Sequence, residues 1–233
     1  MVQVHPVYGR RMMSRRFPEA AAVGVGGFVR DDTPTEQVDR REAVVASLAG
    51  TVRDLVDATI RTTLDDDELH RIRDDLAALV DRLRAGQLPG PAGIRYNSER
   101  RSWNWGNAVM GAANAIAPPL DVVHDASGCH ADVDLGAAYE GPPGLVHGGV
   151  SAMLLDHIMG ETASAMRRTT FTGTLTTRYR RGTPLGPLRL EASIVREEGR
   201  KVFVAGSIAD ADGVTVEAEG VFIQPAGAPA ADG

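Results

Sequence analysis

The sequence has a single cysteine, Cys129, and a single lysine, Lys201. One cysteine excludes a disulfide framework within the chain, which fits a reducing compartment. No apolar run approaches the roughly 20 residues that a membrane helix needs. An Arg-rich start leads into a short apolar stretch, residues 20–29, but glycines interrupt it, so no secretory signal is predicted. We therefore expect a cytoplasmic protein that does not contact membrane.

Basic residues are outnumbered by acidic ones, 25 to 31. The net charge is -6, which gives no electrostatic reason to expect a nucleic acid or an anionic membrane as partner. The hydrophobic fraction of 43% and the charged fraction of 24% are ordinary for a soluble globular protein. The length of 233 residues suffices for one domain with a sizeable core and an additional element.

The first part of the chain is predicted to be helical. Residues 1–34 form an irregular arm, and residues 35–88 carry apolar side chains at spacings of three and four, which predicts two helices. Asp65 and the two aspartates after it can cap the second helix. Residues 31–85 contain 14 acidic residues against eight arginines, so this extension lacks the basic recognition helix of a DNA regulator.

The second part, residues 89–225, changes to strand periodicity and precedes a flexible tail at 226–233. Apolar and polar residues alternate from Cys129 to Leu135, and four more strands are predicted at 171–181, 187–197, 201–209 and 214–223. The apolar segment 146–166 between them is predicted to be a buried helix. This order predicts an α+β fold in which a curved antiparallel sheet surrounds one helix, and it argues against a Rossmann-type sheet.

A glycine- and proline-rich loop, residues 141–149, leads directly into that helix. The first turn of a helix has unpaired N–H groups, and Gly148 and Gly149 would let a substrate approach them closely. Such a helix start can serve as an oxyanion or anion site. The same pattern also suits an ordinary glycine-rich helix entry, and the sequence leaves both interpretations open.

Asp156 interrupts the apolar helix after Met153, Leu154 and Leu155. A buried carboxylate is costly unless it is paired or used, and burial would raise its pKa toward that of a general base. A structural aspartate held by a neighbour is the alternative. Gly148 and Asp156 are eight residues apart, about 12 Å along one helix. If both act on one substrate, two copies of the helix must contribute, which predicts a homodimer with composite sites or a tetramer built from such dimers.

Together, the His-Gly-Gly loop, the acidic residue nine positions after the histidine and the strands that follow resemble the phenylacetate-type (PaaI-like) hotdog acyl-CoA thioesterases. The resemblance covers roughly residues 100–225. It implies a hotdog fold and hydrolysis of acyl-CoA to a free fatty or aryl acid and CoA. It also implies roles for Gly148 as the oxyanion donor, Asp156 as the catalytic carboxylate and His147 as a residue that shapes the loop. Thr172, seven residues before Tyr179, would position the water.

One position departs from the pattern of some relatives. Some relatives have Asn six residues before the histidine as a second contact to the thioester, and here that position is Gly141. The Gly-Pro-Pro-Gly loop resembles another branch of the family. Arg178, Arg180 and Arg181 could bind the phosphates of CoA, since arginine suits phosphate, or they could form a solvated strand face.

Other functions are weaker interpretations of the same residues. A hotdog hydratase or dehydratase would use His147 as a base, and a non-catalytic acyl-CoA binder or sensor would need no Asp156. The segment around Ser151, residues 149–153, lacks the second glycine of a nucleophile elbow, so Ser151 is interpreted as an ordinary helix residue. The histidines and aspartates around residues 124–134 do not have a zinc spacing, so neither a metal nor a cofactor is expected.

Overall fold

The computed structural model describes residues 28–118, 120–164 and 169–225. Most of the predicted arm, residues 1–27, and the predicted tail, residues 226–233, lie outside the described residues. Residues 28–30, assigned to the arm, form a strand. The division of the chain into an arm, a helical extension, a hotdog domain and a tail stays a prediction.

Helices and strands lie largely where their periodicities predict them. The two N-terminal helices are confirmed, and the side chain of Asp65 caps the second by accepting from Glu68 N at 2.9 Å. A Gly213 turn with φ of +109° joins the last two strands as expected. The elements are β1 (Phe28–Arg30), α1 (Thr35–Arg61), α2 (Asp66–Arg84), β2 (Ile94–Tyr96), β3 (Ser102–Trp103), β4 (Val123–His124), β5 (Cys129–Leu135), a 3-10 turn (Ala137–Tyr139), α3 (Gly148–Ser164), β6 (Phe171–Tyr179), β7 (Gly186–Glu198), β8 (Lys201–Asp210) and β9 (Gly213–Ile223).

Six strands form the main sheet, in the order β4-β5-β7-β8-β9-β6, and every neighbouring pair is antiparallel. Helix α3 packs against this sheet, which confirms the predicted hotdog architecture. A second, three-stranded sheet has the order β1-β2-β3. Consequently β2, which falls within predicted domain 89–225, pairs with the arm strand β1, and β3 pairs with β2, so neither joins the main sheet. Strand β6 ends the main sheet, and its outer edge has no partner among the described residues.

The core lies between α3 and the inner face of the main sheet. Seven of the 17 residues of α3 are buried, among them Leu154, Leu155 and Ile158 with no exposed surface. The alternate residues of β5 are buried as predicted, beginning with Cys129, so this thiol packs in the core. The alternation of the sequence therefore places the helix and the sheet against each other.

Helix α1 is attached to the chain that follows α2, whereas α2 is mostly exposed among the described residues. Arg101 donates to both carboxylate oxygens of Glu42 at 2.9 Å, and Trp105 Nε1 donates to the same carboxylate at 2.7 Å. Only Val38 and Ala49 of α1 are buried. No residue of α2 is buried by the described part of the chain. Among the described helices, none is both long and apolar enough to cross a bilayer.

Candidate active site

The loop before α3 is held in place by backbone contacts on both sides. Gly144 has φ of +72°, in the left-handed region that favours glycine, and its N–H donates to the Glu140 carboxylate at 2.7 Å. Val146 N donates to Thr183 O at 2.8 Å. These bonds fix the point at which the chain enters the helix.

The first amides of α3 are not equivalent. Gly149 N donates to His147 Nδ1 at 3.0 Å, so the histidine caps the helix, and Val150 N donates to His147 O at 2.9 Å. The amide of Gly148 has no acceptor among the described residues. Because an unpaired helix-start N–H seeks a negative partner, Gly148 offers the free donor that an oxyanion needs, and Gly149 does not.

Tyr179, at the end of β6, holds the same turn from the other side. Its hydroxyl donates to Gly148 O at 2.8 Å. A Cβ placed on Gly148 would lie 3.4 Å from the tyrosine ring, so ring and glycine are in close contact. Tyr179 was not predicted as a site residue, because a strand tyrosine carries no signal for a bond to a distant carbonyl.

Thr172 and Asp156, both predicted as site residues, are in contact. Thr172 Oγ1 donates to Asp156 Oδ1 at 2.8 Å. The prediction that Asp156 is buried is wrong for a single copy of the chain, where it is half-buried, because β6 ends the sheet and leaves this side of α3 open. Its carboxylate therefore has a hydroxyl partner and remains accessible.

A β-bulge allows β6 to reach α3 at both points. Thr172 pairs with Phe222 and Thr174 with Val221, so Gly173 is the additional residue. Seven residues of regular strand would place Thr172 and Tyr179 on opposite faces, since side chains alternate. The extra residue places both side chains on the same face of β6, and both bond to residues of α3. A bulge of this kind was not predicted from the sequence.

Gly148 and Asp156 are not brought together within one copy. Both lie on α3, eight residues and about 12 Å apart along the helix axis. The free amide and the Thr172-bonded carboxylate thus form two half-sites on one helix. Strand β6 contributes one side chain to each half-site.

The loop has no room for a side chain at position 141. A Cβ on Gly141 would lie 2.8 Å from His147 Cα, closer than real contacts allow. No asparagine side chain fits there while the loop keeps this conformation. A second thioester contact from position 141 is therefore absent, and His147 occupies the space next to it.

The three arginines after the site are ion-paired to different degrees. Arg180 Nη2 lies 2.5 Å from Glu217, and Arg181 pairs with Asp210 and also donates to Gly213 O at 2.8 Å. The Arg181 guanidinium lowers the pKa of Asp210 to about 2. Arg178 lies 3.8 Å from Glu219 and is 60% exposed, which makes it the least engaged of the three.

A second polar cluster joins β4, β5 and α3 and was not predicted. His124 Nδ1 is 3.1 Å from Cys129 Sγ, and Nε2 is 3.7 Å from the Glu161 carboxylate. The hydrogen bond to Cys129, then the one to Glu161, raises the pKa of His124 to about 9. Glu161 is five residues beyond Asp156, so the two side chains leave the helix about 140° apart. Within the described ranges, no three of these residue types are arranged to hold a metal ion.

Comparisons with known proteins agree with this geometry. Residues 143–217 match the family model described as "Thioesterase superfamily". The crystal structure of a thioesterase superfamily protein is 34% identical with a TM-score of 0.68, covering 77% of this chain and 94% of that one. Acyl-coenzyme A thioesterase THEM4 of Xenopus laevis is 35% identical over 92 residues, 38% of this chain. That match spans only 41% of the length of the curated relative.

Proposed function

Because the chain belongs to the thioesterase superfamily, we propose that it hydrolyses acyl-CoA thioesters to a carboxylic acid and free CoA. The observation that carries the proposal is the pair of half-sites on α3. The first turn of α3 presents the Gly148 amide, which has no acceptor among the described residues. The middle of α3 presents Asp156, whose carboxylate accepts a hydrogen bond from Thr172. An oxyanion donor and a carboxylate are the two groups that thioester hydrolysis requires.

The proposed reaction begins with the thioester carbonyl oxygen against the Gly148 N–H. Asp156 takes a proton from a water molecule held by Thr172, and the hydroxide adds to the carbonyl carbon. The negative charge that develops on the oxygen is stabilised by the amide dipole at the helix start. The tetrahedral intermediate then collapses, the C–S bond breaks, and the CoA thiolate takes up a proton as the acid forms.

Asp156 could instead attack the carbonyl carbon itself, which would give an anhydride that water then hydrolyses. The half-buried carboxylate with one bonded oxygen leaves the other oxygen available for either role. A single turnover in ¹⁸O water can establish the nucleophile, because label in Asp156 means that water opened an anhydride at the aspartyl carbon. Label in the acid alone is produced both by the base and by an anhydride opened at the acyl carbon.

A homodimer with composite sites is part of the proposal. The 12 Å between Gly148 and Asp156 exceeds the reach of one carbonyl group, so the two half-sites must face those of a second copy. Strand β6 supports this, because it carries both half-site partners at a sheet edge. Its residues Phe171 and Tyr179 are 47% and 52% exposed. A tetramer would pair two such dimers.

A hydratase or dehydratase is the competing enzyme, and the bonding of His147 counts against it. Nδ1 already accepts from Gly149 N, so the neutral ring carries its proton on Nε2 and has no free lone pair for a base. A non-catalytic acyl-CoA binder is the second competitor. A protein that only binds acyl-CoA does not need the Asp156 carboxylate beside Thr172.

Recognition of CoA is proposed to involve Arg178, because Arg180 and Arg181 are engaged by carboxylates of neighbouring strands. Gly149 and Gly141 would contribute only close backbone approach. We also propose a cytoplasmic location, which the single cysteine supports.

Release of free thiol from short, long and aromatic acyl-CoAs tests the proposal, with wild type and Asp156→Asn side by side. Asp134→Asn is a matched control, because it removes an exposed carboxylate from β5. We expect the first variant to lose at least about 10²-fold in kcat and the control to keep wild-type activity. Folded wild-type protein that releases no thiol from any substrate contradicts hydrolysis. Formation of hydroxyacyl-CoA or enoyl-CoA would favour the hydratase.

A further inference from the structure

Helix α2 carries an apolar stripe that nothing in the described chain covers. Its members are spaced by three and four residues in strict alternation, and three of them are 37%, 47% and 53% exposed: Leu69, Leu79 and Leu83. Ile72 and Leu76 complete the stripe and are only partly buried. Burying such side chains is favourable, so a helix of 19 residues with none of them buried lacks its partner.

The spacing is compatible with a second helix as the partner. Steps of three and four average 3.5 residues, the period with which one helix packs its seam against another. The same stripe also suits a helix that packs on a sheet face, so the charges of α2 are needed to select the partner. From Leu69 to Leu83 the stripe extends about 21 Å, enough for four interlocking layers.

Charge indicates the direction in which that helix runs. The first turn of α2 is acidic, with Asp66, Asp67 and Glu68, and the last turn is basic, with Arg82 and Arg84. A second α2 in the opposite direction keeps the two acidic first turns at opposite ends of the pair, and it also opposes the helix dipoles. A parallel copy would place like charges side by side.

We propose that α2 pairs in antiparallel fashion with α2 of a second copy of this chain. Two antiparallel registers form four apolar layers each. We choose the one that sets Leu76 against Leu79 of the second copy and Ile72 against its Leu83, because the other brings Asp75 against Asp75 of the second copy. In this register Asp75, beside the seam, faces Arg82 of the other helix, and the two-fold axis makes that contact twice. Within the described chain, neither Asp75 nor Arg82 has a side-chain ion pair or hydrogen bond.

The seam is tested by light-scattering mass and sedimentation equilibrium on the full chain. Leu76→Glu/Leu79→Glu places two charges in the seam, and Ala77→Glu/Ala78→Glu places the same charges on the opposite, exposed face of the same helix. We expect the seam variant to dissociate to a smaller species with a dissociation constant raised on the order of 100-fold, and the control to keep the wild-type mass. Circular dichroism verifies that both variants are folded.

Equal masses for wild type, seam variant and control at every concentration overturn the proposal. This outcome would also arise if residues 1–27 of the same chain cover the stripe, in which case the seam variant melts at lower temperature without a change of mass. Thiol release is measured separately on wild type, so a failed seam does not imply a failed thioesterase.

The antiparallel register has a test of its own. Asp75→Arg and Arg82→Asp each turn two attractive contacts into repulsive ones, and we expect each to weaken association on the order of tenfold at low salt. The double variant exchanges the charges and restores wild-type association. If the two single effects add in the double variant, Asp75 and Arg82 do not face each other and the register is wrong.

Discussion

Helices α2 and α3 have similar lengths, 19 and 17 residues, and opposite surroundings. Helix α3 buries seven residues against the sheet, and α2 buries none within the described chain. Both carry apolar residues at helical spacing, so periodicity predicts that each is a helix but not how much of it a single chain covers. In α3 the interruptions of the apolar pattern, Gly148 and Asp156, are the groups assigned to chemistry. In α2 the apolar residues themselves form the exposed surface for which no function has been assigned within one chain.

The same substitution in the two helices measures this difference most directly. Leu155→Ala in α3 creates a cavity at a side chain with no exposed surface, and we expect the free energy of unfolding to fall by about 2–5 kcal/mol. Leu79→Ala in α2, at low protein concentration, should cost about 0.5 kcal/mol or less. Denaturant unfolding measures both. Similar losses at low concentration would contradict the contrast drawn between the helices.

At the start of α3, a proline tests whether the free amide matters. Gly148 is the first helical residue, where proline is well tolerated, so Gly148→Pro removes the N–H and keeps the helix. We expect kcat to fall about 10²–10³-fold. Gly148→Ala is the control, because its methyl group contacts the Tyr179 ring at 3.4 Å but the amide remains. Equal losses in both variants would point to crowding rather than to the amide.

Substitution of Tyr179 tests whether the edge strand β6 supports catalysis through its bond to Gly148 O. Tyr179→Phe removes the hydrogen bond to Gly148 O, and we expect kcat to fall about two- to tenfold with little change in KM. Tyr139→Phe removes a comparable hydroxyl bond, 3.1 Å long, to Ile116 O, and it leaves in place the backbone bond from His147 N to Tyr139 O. If both variants lose the same activity, the Tyr179 hydroxyl has only a structural role.

The smallest expected effect concerns pH and the cluster of His124 with Cys129 and Glu161. A pKa raised from 6.5 to about 9 means that protonated His124 stabilises the fold fully below pH 6.5 and loses this contribution as pH rises to 9. The difference in unfolding free energy between wild type and His124→Gln should shrink over this window, by about 1 kcal/mol or less given partial exposure. A constant difference from pH 6 to pH 9 would exclude the charged form.

The sequence predicted more of the fold than of the site. Two N-terminal helices, a central buried helix and five strands follow from apolar periods, and the Asp65 cap follows from side-chain chemistry. The role of Thr172 in positioning the water came from a family resemblance, and its hydrogen bond to Asp156 was found in the structure. The Gly173 bulge and the Tyr179 bond could not be predicted, because they depend on how a strand crosses a helix. The exposure of Asp156 depends on β6 being the last strand of the sheet.

The central claim is that each active site combines Gly148 of one copy with Asp156 of another. Asp156→Asn and Gly148→Pro chains, each nearly inactive alone, can be mixed under conditions that exchange subunits, and thiol release is then measured. A mixed dimer contains one site with both native groups, so activity should recover to about a quarter of wild type at equal proportions. Mixing that exchanges subunits but restores no activity would place both groups in one copy and contradict the account.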